Sequence, residues 1–268
     1  MELEQDRAES GETGADPRLF VSGIERAMRV MEAFDAGQQR LSLADISTRT
    51  GLGRSAAQRI VYTLHHLGYL HREADERFYS ISYRMVDLCR GLIGRESPAR
   101  RLLPLLQDLA EKTGETTAWV QLEGDKIVVL QSVLSTHFSH VNLSVGQHFA
   151  ALPSSSGQAL LAHADPALAE GLLQDAAAPV RARLPFATPE EMHGHFAAIR
   201  AAGYALTGKD EDLYSVSLSA PVFGPTGAAL GAINLSVVES RFPKDTVGAR
   251  LSSLLLRAAR DATALLSR

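Results

Sequence analysis

The segment Gly53-Arg54-Ser55-Ala56-Ala57-Gln58-Arg59-Ile60-Val61-Tyr62-Thr63-Leu64 decides how the first part of this chain folds. Ala57, Ile60, Leu64 and Leu67 recur at three- and four-residue steps and predict an inward helical face, with Arg54, Ser55, Gln58, Arg59 and Tyr62 on the other side. Upstream, Ser42-Leu43-Ala44-Asp45 is a capping box that opens a short helix ending at Thr50-Gly51. Before it, Ile24, Ala27, Met28, Met31, Ala33 and Phe34 keep helical spacing, and Gly37 ends the run. Downstream, Gly68 closes the third helix, Tyr69–Arg72 and Phe78–Ile81 read as strands, and Ala74-Asp75-Glu76 is the turn between them. Helix, short helix, glycine turn, helix and hairpin within residues 20–82 make a winged helix-turn-helix, whose third helix can enter a major groove.

The outward side chains suit double-stranded DNA. Ser55, near the helix start, can meet a phosphate beside backbone amides. Gln58 can pair with adenine, and Arg59 with guanine or a phosphate. Arg72 and Arg77, on the hairpin, can reach the flanking backbone. A solvated helix face would use the same residue types, so these residues alone leave both readings open.

The formal net charge of −4 over 268 residues at first opposes a nucleic-acid partner. Regional counting removes the objection. Residues 1–19 carry six acids and two arginines, residues 20–82 eight arginines and seven acids, and residues 83–268 seventeen Lys and Arg against eighteen Asp and Glu. The acidic excess lies in residues 1–19, which lack periodicity and read as a disordered tail. The 45% hydrophobic composition can bury a core. No run nears the roughly 18 apolar residues of a membrane helix, and the N-terminus has no apolar signal core. The single Cys89 can form neither an intramolecular disulfide nor a Cys-based zinc site, and is expected to pack as a small buried hydrophobe. A cytoplasmic protein with no membrane partner is the expectation.

Residues 83–97 predict a linker helix carrying Tyr83, Val86, Leu88, Cys89, Leu92 and Ile93, with Ser97-Pro98 starting the next segment. A helix over Arg100–Thr113 follows, with Leu102, Leu105, Leu106, Leu109 and Ala110 on one face. From Gly114 onward an α+β domain is expected, with a hairpin about Gly124-Asp125 and strands at Tyr204–Leu206, Ser217–Phe223 and Ala228–Val238. Helices are expected at Ser155–His163, Asp165–Leu173, Thr188–Ala202 and Pro243–Ser267, the third opened by a Thr188/Glu191 box. Two stretches, Ile127–Ala164 and Leu213–Val238, contain no Asp, Glu, Lys or Arg. Such stretches are expected to be mostly buried, and their Ser, Thr, Asn and His need partners, which a polar ligand could supply.

The runs Ser22–Met31, Leu43–Leu52, Ser55–Arg59 and Leu67–Leu70 resemble the N-terminal domain of IclR-type bacterial transcriptional regulators. Val145-Gly146 with Ser154–Ala162, and Ala220-Pro221-Val222 with Gly227 and Ala232–Ser236, resemble that family's effector domain. The motifs keep the family's order from about residue 20 to the C-terminus. The resemblance implies a two-domain α+β protein: a winged helix-turn-helix over 20–82, a linker helix over 83–97, and a GAF-like effector-binding, oligomerising domain over 98–268. It implies homodimers through the DNA-binding domains, often paired into tetramers, whose operator affinity answers to a small organic or aromatic acid. Family pocket positions fall on Phe138, Val141 and Phe149 as apolar wall, on Ser155 and Ser156 at a helix start, and on Thr207, Ser215, Ser217, Asn234 and Ser236 as rim. The chain departs from the family pattern at Ala150-Ala151-Leu152, at Gln158 where Lys or Arg is common, and at Thr207 where an acid is common. These changes remove charge and predict an effector less acidic than a simple keto acid.

His137, His140 and His148 make a weak metal set with no Cys or nearby carboxylate, so no metal or cofactor is expected. No Gly-x-Ser-x-Gly elbow or triad supports covalent chemistry at Ser155 or Ser156, and an enzyme is not expected. A ligand sensor or interaction module without direct DNA binding is the alternative.

Overall fold

The computed structural model describes residues 16–35, 38–73, 77–94, 96–210, 215–242 and 244–267. Most of the acidic tail, Gly37, the Ala74–Glu76 turn, Leu213 and Pro243 lie outside the described residues. The chain divides into two compact units, one running to Arg90 and the other starting at Gly91. Among the described residues no helix is long and apolar enough to cross a membrane.

The first unit contains α1 (Ser22–Glu32), β1 (Leu41–Ser42), α2 (Leu43–Thr50), α3 (Arg54–His66), β2 (Leu70–Arg72) and β3 (Phe78–Ile81). Helix α4 (Arg84–Ile93) straddles the division. The capping box forms: Asp45 N donates to Ser42 Oγ at 3.2 Å and Ser42 N to Asp45 Oδ2 at 2.9 Å. Gly51, at φ 70°, supplies the left-handed cap that ends α2. Side chains then hold the turn to α3, with Ser47 Oγ donating to Leu52 O at 2.5 Å and Leu52 N to Thr50 Oγ1 at 3.3 Å. Arg49 ties α2 to the end of α1 through Ala33 O at 2.8 Å and Asp35 at 2.9 Å.

The core of this unit gathers Val30, Met31, Phe34, Leu41, Ile46, Ala57, Val61, Leu64 and Leu70. Two expectations are corrected. Leu67 is 49% exposed, because α3 ends at His66 and Leu67 is its C-cap, ahead of Gly68 at φ 81°, and Val61 takes the inward place. Ile24 and Met28 are 63% and 50% exposed: α1 has two apolar faces, and only that of Val30, Met31 and Phe34 meets this core. The hairpin gains a third strand that periodicity did not suggest, β1, giving the order β1-β3-β2. On α4, Tyr83 just before it and Val86, Leu88 and Leu92 are exposed, and Cys89 is half-buried rather than buried.

The second unit contains α5 (Pro98–Thr113), β4 (Thr116–Glu123), β5 (Lys126–Val133), β6 (His148–Ala150), α6 (Ser155–Leu161), α7 (Pro166–Asp175), α8 (Ala178–Arg181), α9 (Pro189–Ala202), β7 (Ala205–Asp210), β8 (Ser215–Phe223), β9 (Ala229–Val238) and α10 (Lys244–Leu266). β6 and α8 were not anticipated. The strands form one antiparallel sheet in the order β6-β5-β4-β9-β8-β7. Strand period sorts its residues into two faces. Trp119, Val216, Leu218, Ala220, Val222, Ile233, Leu235 and Val237 pack with α5 and α10. Ala118, Val120, Ile127, Val129 and Ala232 pack with α6, α7 and α9. Backbone approach is close at two glycines: a Cβ on Gly231 would lie 2.4 Å from Val120 O, and one on Gly157 2.0 Å from Ala151 O. The Thr188 box is half-formed, since Glu191 accepts from Ala187 N at 2.7 Å instead of from the cap itself.

The charge-free stretches behave differently. Ser215–Val238 is largely interior, but 134–147 is a loop with Leu134, Phe138 and Val145 exposed and Val141 and Leu143 buried. Arg241 holds that loop: its guanidinium makes two bonds of 2.8 Å to the buried Glu115 carboxylate and donates to Ser139 O at 2.6 Å. This fork raises the Arg241 pKa above its ordinary value, chiefly through the hydrogen bonds to Glu115.

Candidate functional site

The first unit presents one long polar face. Arg54, Ser55, Gln58, Arg59 and Tyr62 are all exposed on α3, because Ala57, Val61 and Leu64 occupy the opposite side. Tyr62 is 68% exposed and stacks on His66 one turn later, with ring centroids 6.2 Å apart and planes 8° apart. Gly53 precedes the helix without a capping side chain. The far end is held by Arg84 Nη1 donating to Leu67 O at 2.9 Å and by His65 Nδ1 at 3.0 Å from Leu70 O. On the hairpin Arg72 and Arg77 are exposed, and the Arg72 guanidinium lies 5.9 Å from the Tyr79 ring centre. A rigid, solvent-facing helix of this polarity can lie along a groove of DNA.

The second unit encloses a cavity of about 710 Å³ between the sheet, α6, α9 and the 182–185 connection that follows α8. Of the residues expected to line it, Phe149, Ser155, Ser156, Thr207, Ser215, Ser217, Asn234 and Ser236 do so. Two do not. Phe138 is fully exposed on the 134–147 loop, and Val141 is 3% exposed within the core beside the sheet. Thr116 Oγ1 donates to Val141 O at 2.8 Å, which fixes that segment against β4.

Alternation places the polar lining. Ser217 pairs with Ser236 and Ser219 with Asn234 across β8 and β9, so all four share the face toward α6. Their side chains form a continuous chain of hydrogen bonds. Ser217 Oγ meets Ser236 Oγ at 2.9 Å, and Ser236 Oγ donates to Asn234 Oδ1 at 2.7 Å. Asn234 Nδ2 donates to Ser219 Oγ at 3.1 Å, and Ser219 Oγ meets Ser155 and Ser156 Oγ at 2.9 and 2.8 Å. Ser219, fully buried, joins the strands to α6; the alternation Ser215, Ser217, Ser219 was the signal that could have found it. Ser154 caps α6, accepting from Gly157 N at 3.0 Å.

Gln158, singled out from sequence as a departure from the family pattern, lines the cavity, and two further lining residues, His195 and Arg183, escaped sequence reasoning. Gln158 is buried and donates Nε2 to Leu152 O at 2.9 Å, and its Oε1 lies 3.0 Å from His195 Nε2. Burial pushes the His195 imidazole below its ordinary pKa. Arg183, on the connection from α8 to α9, brings a cation to a cavity expected to be stripped of charge. No group of three or more His, Cys, Asp or Glu has metal-binding geometry among the described residues. His140 Nδ1 lies 2.9 Å from His137 O.

The sequence matches the IclR helix-turn-helix domain over residues 23–74 and the bacterial transcriptional regulator IclR C-terminal domain over residues 97–264. It is 28% identical over 243 residues to the Pca regulon regulatory protein of Pseudomonas putida, covering 90% of this chain and 83% of that protein. It is 24% identical over 223 residues to the p-hydroxybenzoate hydroxylase transcriptional activator of Acinetobacter baylyi, covering 80% of each. The crystal structure of an IclR homolog from Microbacterium hydrocarbonoxydans, complexed with 4-hydroxybenzoate, has the same fold, with a TM-score of 0.76 at 24% identity over 91% of this chain and 98% of that one. An exposed helix-turn-helix and a polar cavity behind an antiparallel sheet, each under its own domain match, place this chain in the IclR family of DNA-binding bacterial transcriptional regulators.

Proposed function

We propose that the chain grips operator DNA through Arg54, Ser55, Gln58, Arg59 and Tyr62 of α3, with Arg72 and Arg77 on the flanking backbone. A small organic acid, most directly an aromatic one, occupies the cavity and alters operator affinity. Residues 20–82 bind DNA, 83–97 link, and 98–268 sense and oligomerise. The observation that carries the effector reading is the cavity itself: apolar Val120, Ile127, Val129 and Phe149 on one part of its wall, a hydroxyl chain on another, and Arg183 within reach of a carboxylate. Relatives named for the pca and p-hydroxybenzoate systems, and a neighbour holding 4-hydroxybenzoate, support the aromatic class. Ser155 and Ser156 bond to another alcohol and not to a base, which favours a sensor over an enzyme. The exposed Ile24 and Met28 on α1 support a homodimer, or a tetramer of two.

Two measurements on the 268-residue chain test this. Operator affinity should fall steeply with salt, and Arg59→Ala should weaken binding and flatten the salt slope by about one. Salt-independent binding overturns the DNA reading. In a thermal-shift screen aromatic acids should stabilise the protein, and stabilisation by simple keto acids alone overturns the effector class.

A further inference from the structure

His195 projects from α9 into the cavity wall, and its ring is fixed from two sides. Its Nε2 lies 3.0 Å from Gln158 Oε1. Gln158, 1% exposed, donates Nε2 to Leu152 O at 2.9 Å. A carbonyl oxygen accepts only from a donor, so this bond turns the NH₂ end of the carboxamide to Leu152 and leaves the acceptor oxygen for His195. His195 Nε2 must then carry the proton. In a neutral imidazole the second nitrogen, Nδ1, keeps its lone pair and accepts. The surroundings favour that neutral form. The ring lies 5.5 Å from the Phe186 ring centre, and burial lowers its pKa.

An acceptor nitrogen in a neutral ring repels the lone pairs of a carboxylate and takes an O–H. On the reading of this cavity as the effector site, we infer that His195 determines effector specificity by accepting at Nδ1 a hydrogen bond from a hydroxyl of the ligand. The ligand class is then a hydroxylated aromatic acid. Its hydroxyl meets His195, its ring meets Ile127 and Phe149, and its carboxylate meets Arg183, which lines the same cavity. Gln158 is a positioning residue: it never needs to touch the ligand, but it sets which ring nitrogen accepts. A buried glutamine at this place is thus a specificity device that costs the cavity a positive charge and gains it a directed acceptor.

The test is calorimetric titration of the purified 268-residue chain with benzoate, the three ring-hydroxylated benzoates and their methoxy counterparts. A methoxy group keeps the oxygen and removes the donor. Wild type should bind at least one hydroxybenzoate about tenfold more tightly than its methoxy counterpart and than benzoate. His195→Phe keeps a ring against Phe186 and should bring that ratio near one. Gln158→Met should lower the ratio without abolishing binding, which loss of packing alone would not do. It also carries the test should His195→Phe fail to fold. A hydroxyl preference that survives both substitutions, or equal wild-type affinity for all the acids, overturns the assignment of His195 and leaves the effector site standing. Failure of every aromatic acid to bind wild type overturns the effector-site reading and this assignment with it.

Discussion

The Ser219 hydroxyl meets three partners, Ser155, Ser156 and Asn234, in a place with no exposure to solvent. Removing a buried group that satisfies others costs their desolvation as well as the bond. Ser219→Ala should therefore lower stability by about 1–3 kcal/mol, read as a fall in denaturant midpoint, and loosen ligand binding because α6 loses its tie to β8. An unchanged midpoint would show that the three partners find other acceptors. At this scale the sequence was legible where a period ran through it. Ser215, Ser217, Asn234 and Ser236, which the family resemblance assigned to the pocket, sit in strands, where alternation puts Ser215 with Ser217 and Asn234 with Ser236, and the pairing of Ser217 with Ser236 joins the two sets on one face. Phe138 and Val141 lie in a segment without period, where spacing says nothing about which way a side chain turns. Gln158 and His195 are 37 residues apart, and no local pattern foretells their bond.

Among the elements, α2 was the most legible, because its start depends on groups within three residues of each other. The Asp45 carboxylate is held below its ordinary pKa, first by the Ser42 hydroxyl and then by the Ser42 amide. A depressed carboxylate pKa means that the folded box binds a proton less readily than the unfolded chain. Its contribution is full above the ordinary carboxylate range and is lost as pH falls through the folded value. Ser42→Ala should lower the melting temperature of the helix-turn-helix unit at neutral pH and flatten its dependence on acid. A variant with the wild-type acid profile would show that the box adds nothing there. The same locality explains Gly51 and the α3 face. It also explains the misassignment of Leu67, since the helical period does not say where a helix parts from its core. Strand β1 was invisible for a related reason: a two-residue strand has no period of its own and exists only through β3.

For the molecule as a whole, the units to either side of Arg90 should titrate differently. Burial lowers the pKa of both His163 and His195, the former with help from Arg200, and both lie in the unit that begins at Gly91. A lowered histidine pKa means that the unfolded state binds more protons between the folded value and the ordinary one. Stability of that unit should be full above the ordinary imidazole range and should decline as pH drops below it. Its urea midpoint is expected to fall between neutral pH and about pH 5, less so with both histidines replaced by Phe. A flat midpoint over that window would contradict the assignment. The sequence alone determined the longer helices and strands, the Ser42 and Gly51 caps of α2 and the order of motifs that marks the family, because each rests on contacts within a few residues or on a period of the chain; the short β1, β6 and α8 lay beyond it. Only the tertiary structure decided which apolar face of α1 is covered, that Phe138 is exposed while Val141 is buried, and that Ser219 meets Ser155 and Gln158 meets His195. Those contacts depend on sheet register and on how α6 and α9 lie against the sheet, which no short stretch of chain encodes.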